Sequence, residues 1–249
     1  MTLAYLLNLG VTPYEEAWEL QRSLAAAVSQ GAVPDTVVML EHPPVITVGR
    51  RTEDAELHVP EGAEVDIVET DRGGKSTYHA PGQLVCYPIL DLTRHGSDVK
   101  RYCRDLEEAI IQMLAAHGIE GTRIEGLTGV WVERSGAPGA APTGQAGLPR
   151  KICSIGIHVS KWVTTHGYAL NVSLDPAPFT NWITACGLED ATFTTMAREL
   201  GQPITVDEVR PAAAVALADV LGLELEEVPV EEGAGLWAQP IHEKIGAHG

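Results

Sequence analysis

Two side chains stand out for the chemistry they could do together. Lys151 lies in Arg-Lys-Ile-Cys-Ser-Ile-Gly-Ile-His-Val (150 to 159), and Cys186 lies in Thr-Ala-Cys-Gly-Leu (184 to 188). A cysteine is nucleophilic as its thiolate, and an unperturbed pKa of about 8.5 leaves only a few percent ionised at neutral pH. A nearby ammonium and a helix N-terminus both favour the charged form. Lys151 would supply the first and a helix following Cys186 the second. Gly187 has no side chain to screen its own N–H from a substrate carbonyl. That suits one arm of an oxyanion hole, where losing one donor costs about 3 kcal/mol. The chemistry such a pair would perform is acyl transfer. Alternation puts Lys151 on one strand face with Cys153, Ile155, Ile157 and Val159, an unusual place for an ammonium. Spacing alone is met more readily by an ordinary loop cysteine and a strand-edge lysine.

Two further stretches carry polar groups beside small residues. Asp71 to Gln83 reads Asp-Arg-Gly-Gly-Lys-Ser-Thr-Tyr-His-Ala-Pro-Gly-Gln. Consecutive glycines after a strand let the backbone approach a ligand, with Thr77, Tyr78 and His79 along the wall. The stretch is neither a P-loop nor a GxGxxG fingerprint, so phosphate cradling is not indicated. His79 fits a general base, an orienting donor or a structural histidine. In Thr-Thr-His-Gly-Tyr-Ala-Leu-Asn-Val (164 to 172), the small Gly167 and Ala169 mark close approach by a ligand or tight sheet packing.

The elements that must position these groups are readable in outline. Met1 to Leu9 reads as a strand, and Thr12-Pro13-Tyr14-Glu15 as a capping box opening a helix to about Ser29. Strands follow over Thr36 to Glu41, Val45 to Val48 and Val65 to Glu69. Leu84 to Leu90 is apolar enough for a central strand covered on both faces. Asp98 to His117 has helical spacing, and Gly129 to Glu133 is a strand. A hairpin spans 150 to 172, a short helix Thr194 to Leu200, and the capping box Thr205-Val206-Asp207-Glu208 opens a helix through Val220. The Gly/Ala/Pro-rich segment 135 to 149 reads as a flexible surface insertion, and 231 to 249 as a loosely held tail on a single domain of residues 1 to 230. Irregular mixing of strands and helices predicts an α+β fold, a mixed sheet with helices mainly on one face.

Composition bounds the partners. The 249 residues carry 17 Lys and Arg against 34 Asp and Glu, a formal charge of -17, which argues against a nucleic-acid binder. No apolar run approaches the roughly 18 residues needed to span a bilayer, and the N-terminal stretch lacks a basic signal-peptide region. Four cysteines without CxxC spacing predict free thiols rather than zinc ligands. A soluble, cytoplasmic, monomeric protein without a metal site is the expectation.

Taken together, the motifs are more specific than any one of them. The chain resembles the octanoyl-[acyl carrier protein]:protein N-octanoyltransferase family, also called lipoate-protein ligase B. The resemblance rests on Glu-His-Pro-Pro-Val (41 to 45), Arg-Gly-Gly-Lys-Ser-Thr-Tyr-His-Ala-Pro-Gly-Gln (72 to 83) and Gly-Val-Trp-Val (129 to 132). It continues in Arg-Lys-Ile-Cys-Ser-Ile-Gly (150 to 156), His-Gly-Tyr-Ala-Leu-Asn-Val (166 to 172) and Ala-Cys-Gly-Leu (185 to 188). It implies a fold shared with lipoate and biotin protein ligases, an octanoyl thioester on acyl carrier protein as donor, and no cofactor. The implied acceptors are lysines of the lipoyl domains of 2-oxoacid dehydrogenase complexes and of the glycine cleavage H protein.

By motif position Cys186 matches the acyl-accepting cysteine and Lys151 its pKa-lowering lysine. Arg72, Gly73, Gly74, Lys75, Ser76, Thr77, Tyr78, His79, Ser154, Ile155, Gly156, Gly167, Tyr168 and Ala169 match the substrate-binding segments. Ala80 and Ala185 stand where the family usually has Gly and Pro; at positive φ Ala80 would be strained. Lys151, then His79, is the expected base for the acceptor lysine. Gly156, Gly167 and Ala169 are expected to leave room for the acyl chain. Arg50, Arg51, Arg72, Lys75, Lys100, Arg101 and Arg104 would form a cationic rim for acidic partners. The alternatives are an ATP-dependent lipoate or octanoate ligase and a non-catalytic acyl- or lipoyl-domain-binding module.

Overall fold

A computed structural model of the protein describes residues 1–53, 56–133, 149–183 and 192–229. The apolar runs become strands in the order the chain supplies them. β1 (Thr2–Val11) leads into α1 (Tyr14–Ser29), then β2 (Asp35–Glu41), β3 (Val45–Val48), β4 (Asp66–Glu69), β5 (Thr77–His79) and β6 (Gln83–Ile89). After α2 (Val99–Ala116) come β7 (Gly121–Ile124), β8 (Leu127–Val132), β9 (Arg150–Ser160) and β10 (Val163–Asn171). The described chain continues through α3 (Ala177–Asn181), β11 (Thr192–Phe193), α4 (Met196–Leu200), α5 (Val206–Leu221) and β12 (Leu223–Glu227).

Among the described residues nine strands form one mixed sheet, ordered β12-β1-β2-β6-β10-β9-β8-β7, with β11 beside β9. A second sheet has the order β4-β3-β5. The α+β expectation holds, and two of the three long helices share a face. There α2 brings Leu106, Ile110 and Met113, and α5 brings Val209, Ala213 and Leu217, against Val37, Leu84, Ile152 and Leu170. On the opposite face α1 lays Ala17, Leu24 and Val28 over Leu7, Val38, Leu40, Val85 and Ile89. β6 is covered on both sides, and every residue of Gln83–Ile89 is buried. α1 packs mainly on β10, β6 and β2, and among the described residues no helix packs as closely on that face of β8 and β9. The glycine-rich stretch, hung from the second sheet, crosses that space instead.

Several local expectations change. Pro13 rather than Thr12 is the N-cap of α1, with no side-chain cap; Thr12 donates its hydroxyl to Gly10 O instead. The Thr205 capping box forms with both its hydrogen bonds. β5, β7 and β12 were not anticipated, being short or, in Leu-Glu-Leu-Glu-Glu, half acidic. Ala80 is not among the residues at positive φ, so the expected strain is absent. Gly82 takes that conformation instead, at φ +89, where a Cβ would lie 2.6 Å from Leu174 N. The expected insertion around 135 to 149 (all but residue 149), the tail from 230 and the segment 184 to 191 lie outside the described residues. No helix among the described residues is long and apolar enough to cross a membrane.

Candidate active site

The glycine-rich stretch folds around its own first side chain. Arg72 donates from Nη2 to Thr47 O (2.6 Å) and Thr47 Oγ1 (2.7 Å), and from Nη1 to Lys75 O (2.6 Å). It is 7% exposed. Arg72 is therefore a scaffold of the loop and does not belong to the cationic rim; Lys75 is ion-paired with Glu56. Glycines make the docking possible. A Cβ on Gly49 would sit 2.5 Å from Gly74 O, and one on Gly156 would sit 3.1 Å from Gly73 O. Gly73 N–H then donates to Ile157 O at 3.0 Å, which fastens the loop to β9.

Between this loop and the β8–β9–β10 wall lies a cavity of about 380 Å³, within the size range of small-molecule sites. Arg72 to Thr77 and His79 border it from the loop side, and Ser154 to Ile157 and Gly167 to Ala169 from the hairpin, with Lys151 among them. Of the residues singled out from sequence, Tyr78 points elsewhere, packing on Phe179 and Trp182 as strand alternation with Thr77 and His79 requires. Tyr168 borders the cavity, but its ring belongs to the core under α2 and α5. The two glycines among the small residues, Gly156 and Gly167, do not open the space as expected, while Ala169 borders the cavity. A Cβ on Gly167 would stand 2.2 Å from Cys86 O and 2.7 Å from Pro88 Cδ, so protein fills that vacancy. Cys186 lies outside the described residues.

Lys151 is aimed by a bulge. Trp131 pairs with Lys151, but its neighbour Val130 pairs with Cys153, leaving Ile152 as an extra residue on β9. Lys151 and Cys153 therefore face opposite sides, contrary to simple alternation. Ile152 and Cys153 enter the core, while Lys151 joins Trp131 on the cavity side. The Lys151 side chain is 4% exposed. Its Nζ donates to Thr128 O at 2.9 Å and sits 5.0 Å from the Trp131 ring centre. Gly129 makes room for it: at φ +122, a Cβ there would lie 2.6 Å from both Lys151 Cε and Cys153 O. Glu107 fixes that glycine by accepting from Gly129 N–H at 3.0 Å and is itself paired with Arg123. Cys153 is no second nucleophile; burial pushes its thiol well above the ordinary range.

At the other end of the hairpin stands a cluster of rings that sequence reading did not join. His166 sits at φ +58 within β10. Its register partner Ile157 packs toward α2 and α5, yet the His166 ring lies on the cavity side. There Nε2 is 2.8 Å from Asp71 Oδ1, and Nδ1 is 3.4 Å from the Tyr14 hydroxyl. The distortion lies just beyond the Tyr168–Cys86 pair of β10 and β6, where Pro88, which has no N–H, crowds Gly167. Gln21 of α1 holds the distorted backbone by accepting from His166 N–H at 2.6 Å. His42 pairs with Tyr87 through Nε2 (2.7 Å) and with Thr12 O through Nδ1 (2.7 Å), and burial pushes it down to about 4. Burial holds His79 well below the usual histidine value, with the neighbouring His42 adding to the effect. Burial also lowers His166, partly offset by Asp71, whose own carboxyl is held down first by the hydrogen bond from His166.

The comparisons with known proteins agree with this architecture. The family model described as lipoyl protein ligase A/B catalytic domain matches residues 13–218. An octanoyltransferase of Chloroflexus aurantiacus is 47% identical over 221 residues, covering 87% of this chain and 93% of that protein. One of Mycobacterium leprae is 46% identical over 215 residues, covering 86% of each. The bipartite lipoate protein ligase of Thermoplasma acidophilum superposes with a TM-score of 0.70 at 17% identity, over 96% of this chain and 91% of that one, a likeness of fold.

Proposed function

The chain belongs to the lipoyl protein ligase A/B catalytic domain family, and we propose that it transfers an octanoyl group from acyl carrier protein to a lysine of lipoyl domains, as an early step in making lipoylated proteins. The observation that carries the reading is the lysine. Lys151 is delivered by a bulge into a cavity of about 380 Å³ and is almost wholly enclosed. The identity with octanoyltransferases supports the acyl group and its destination.

In this reading Cys186 is the nucleophile. Its thiolate attacks the octanoyl thioester, a new C–S bond forms as the old one breaks, and the carrier's sulfur leaves as a thiolate that takes up the proton Cys186 gave up. One thioester is exchanged for another, so the step is nearly balanced and needs no ATP. The acceptor amine then attacks octanoyl-Cys186, a C–N bond forms, and the cysteine thiol is released. Amide formation from a thioester is downhill and drives the sequence. Lys151 fits the role of the cation that favours the thiolate. The chain leaving the Cys186 segment enters the sheet as β11, where Phe193 pairs with Lys151 and Thr194 N–H donates to Lys151 O at 3.0 Å. That connection supports a cysteine working beside this lysine. One methylene in an apolar pocket is worth about 1 to 3 kcal/mol, so seven- and nine-carbon chains should compete poorly but measurably.

Intact-protein mass spectrometry after mixing with octanoyl-acyl carrier protein alone tests the reading. The expected result is one octanoyl adduct on Cys186 that transfers to an added lipoyl domain without ATP. A wild-type protein that gains no adduct, or a Cys186→Ala variant that still forms the thioester, overturns it.

A further inference from the structure

Acyl transfer to a lysine requires a base, because an ammonium with an ordinary pKa of about 10.4 must lose a proton before it can attack. Partners fix the proton positions on the two histidines that border the cavity. Gln83 Nε2 donates to Tyr78 O (3.2 Å) and Asn171 Oδ1 (3.0 Å), so its Oε1 faces His79 and accepts from Nδ1–H at 2.7 Å. Among the described residues the hydrogen-bond partner of His79 is thus a neutral amide oxygen, with His42, Arg72 and His166 nearby to oppose a positive charge. His166 is different. The Asp71 carboxylate can only accept, so Nε2 carries the hydrogen and Nδ1 is the free acceptor. Nδ1 faces the Tyr14 hydroxyl, and both Tyr14 and His166 border the cavity. Non-glycine residues at positive φ carry strain that persists where the surroundings enforce it. Here the strain puts the ring beside a carboxylate.

We propose that His166 and Asp71, reached through the Tyr14 hydroxyl, form the base that deprotonates the incoming lysine. The proposal rests on the acyl-transfer reading above and extends it from the acyl group to its acceptor. An N–H bond of the ammonium breaks as an O–H bond forms on Tyr14, whose own proton passes to His166 Nδ1. The imidazolium is held as an ion pair with Asp71. The neutral amine attacks the acyl carbon, its second proton goes to the departing sulfur, and the imidazolium returns its proton to solvent past the 38% exposed Asp71 side chain. The charged and titratable groups facing His166 are, among the described residues, Asp71 and Arg72 from the loop, His79 from β5, His158 from β9, Tyr14 from α1, and Tyr87 from β6. Asp71 also lies 3.8 Å from His158 Nε2, beyond hydrogen-bond distance.

The test compares two nucleophiles on one preformed octanoyl-enzyme: a lipoyl domain, whose lysine must be deprotonated, and hydroxylamine, already a free base at neutral pH. The variant His166→Asn suits the left-handed backbone. Lysine transfer is expected to fall about 100-fold, at least thirtyfold more than cleavage by hydroxylamine. The gap should narrow as pH is raised and the lysine ionises unaided. Asp71→Asn and Tyr14→Phe, which leave the strained position intact, should show the same selective loss. Equal losses with both nucleophiles, or lysine transfer at the wild-type rate, overturn the proposal. A wild-type enzyme that forms no octanoyl adduct fails earlier, at the acyl-transfer reading itself, and takes this proposal with it.

Discussion

The two ends of the β9–β10 hairpin solve the same problem by different means. Each must turn a polar side chain out of the register of a buried sheet and into the cavity. At the Lys151 end an extra residue, Ile152, shifts the register, and the backbone stays in ordinary conformations at Lys151. At the His166 end the residue count is kept, and a left-handed main chain swings the ring across. The first solution needs an empty volume, provided by Gly129; the second needs an external clamp, provided by Gln21 and Asp71. A bulge gives a fixed cation, and a strained residue gives a ring that exchanges protons between fixed neighbours.

The largest expected effect separates the ends by chemistry. Lys151→Met keeps the volume and removes the ammonium, and acylation by octanoyl-acyl carrier protein should fall about 1,000-fold, the upper end of what losing one electrostatic stabiliser costs. Pre-steady-state adduct formation measures it, and an unchanged rate would mean that the bulge aims the lysine for some other purpose. Gly129→Ala leaves Lys151 in the sequence but takes its space. The new Cβ would overlap Lys151 Cε, and a displacement of this size should cost about 100-fold in the same assay. Loss of lysine transfer without loss of acylation in that variant would erase the distinction between the ends.

Acid stability sharpens the comparison from the other side, because it belongs to the histidine end. His42 is held at about 4 in the fold against about 6.5 in an unfolded chain. Between those values the unfolded state binds more protons, so stability falls as pH drops through that window, by up to about 3 kcal/mol. His79 and His166, also lowered, act in the same direction. Asp71 is lowered too, but a carboxylate's contribution is present above its unfolded value near 4 and is lost only below that window. Urea midpoints measured from pH 7.5 to 4 should decline steeply below 6.5; a flat profile would contradict burial of neutral histidines. The smallest effect lies outside both ends. Arg50→Gln with Arg51→Gln, exposed beside the loop, should raise the KM for carrier protein several-fold and flatten its salt dependence.

Residue type points to many of the side chains that border the cavity and not to what aims them. Lys151, the glycine stretch and the small residues of β10 were legible because each departs from what a plain strand or turn would use. Alternation misjudged Lys151 because a bulge leaves no mark on the pattern: Ile152 is as apolar as any core residue. Gly156 and Gly167 depart from strand composition because their missing side chains admit Gly73 O and Cys86 O. Asp71 and His166 meet across 95 residues, and nothing local in either stretch announces the other. The fold class was readable because its long helices and central strand are strongly periodic. β12 was not, since alternate glutamates on a sheet edge look like a solvated tail.

That last strand has a consequence for how the molecule is made. β1 lies between β2 and β12, and Asn8 meets Glu227 across 219 residues of sequence. Until the ribosome has delivered Leu223–Glu227, the amides and carbonyls along one side of an apolar strand stand open to any passing chain. Nascent protein therefore spends most of its synthesis with a sticky border, and a messenger truncated just before that point would yield a product prone to aggregate.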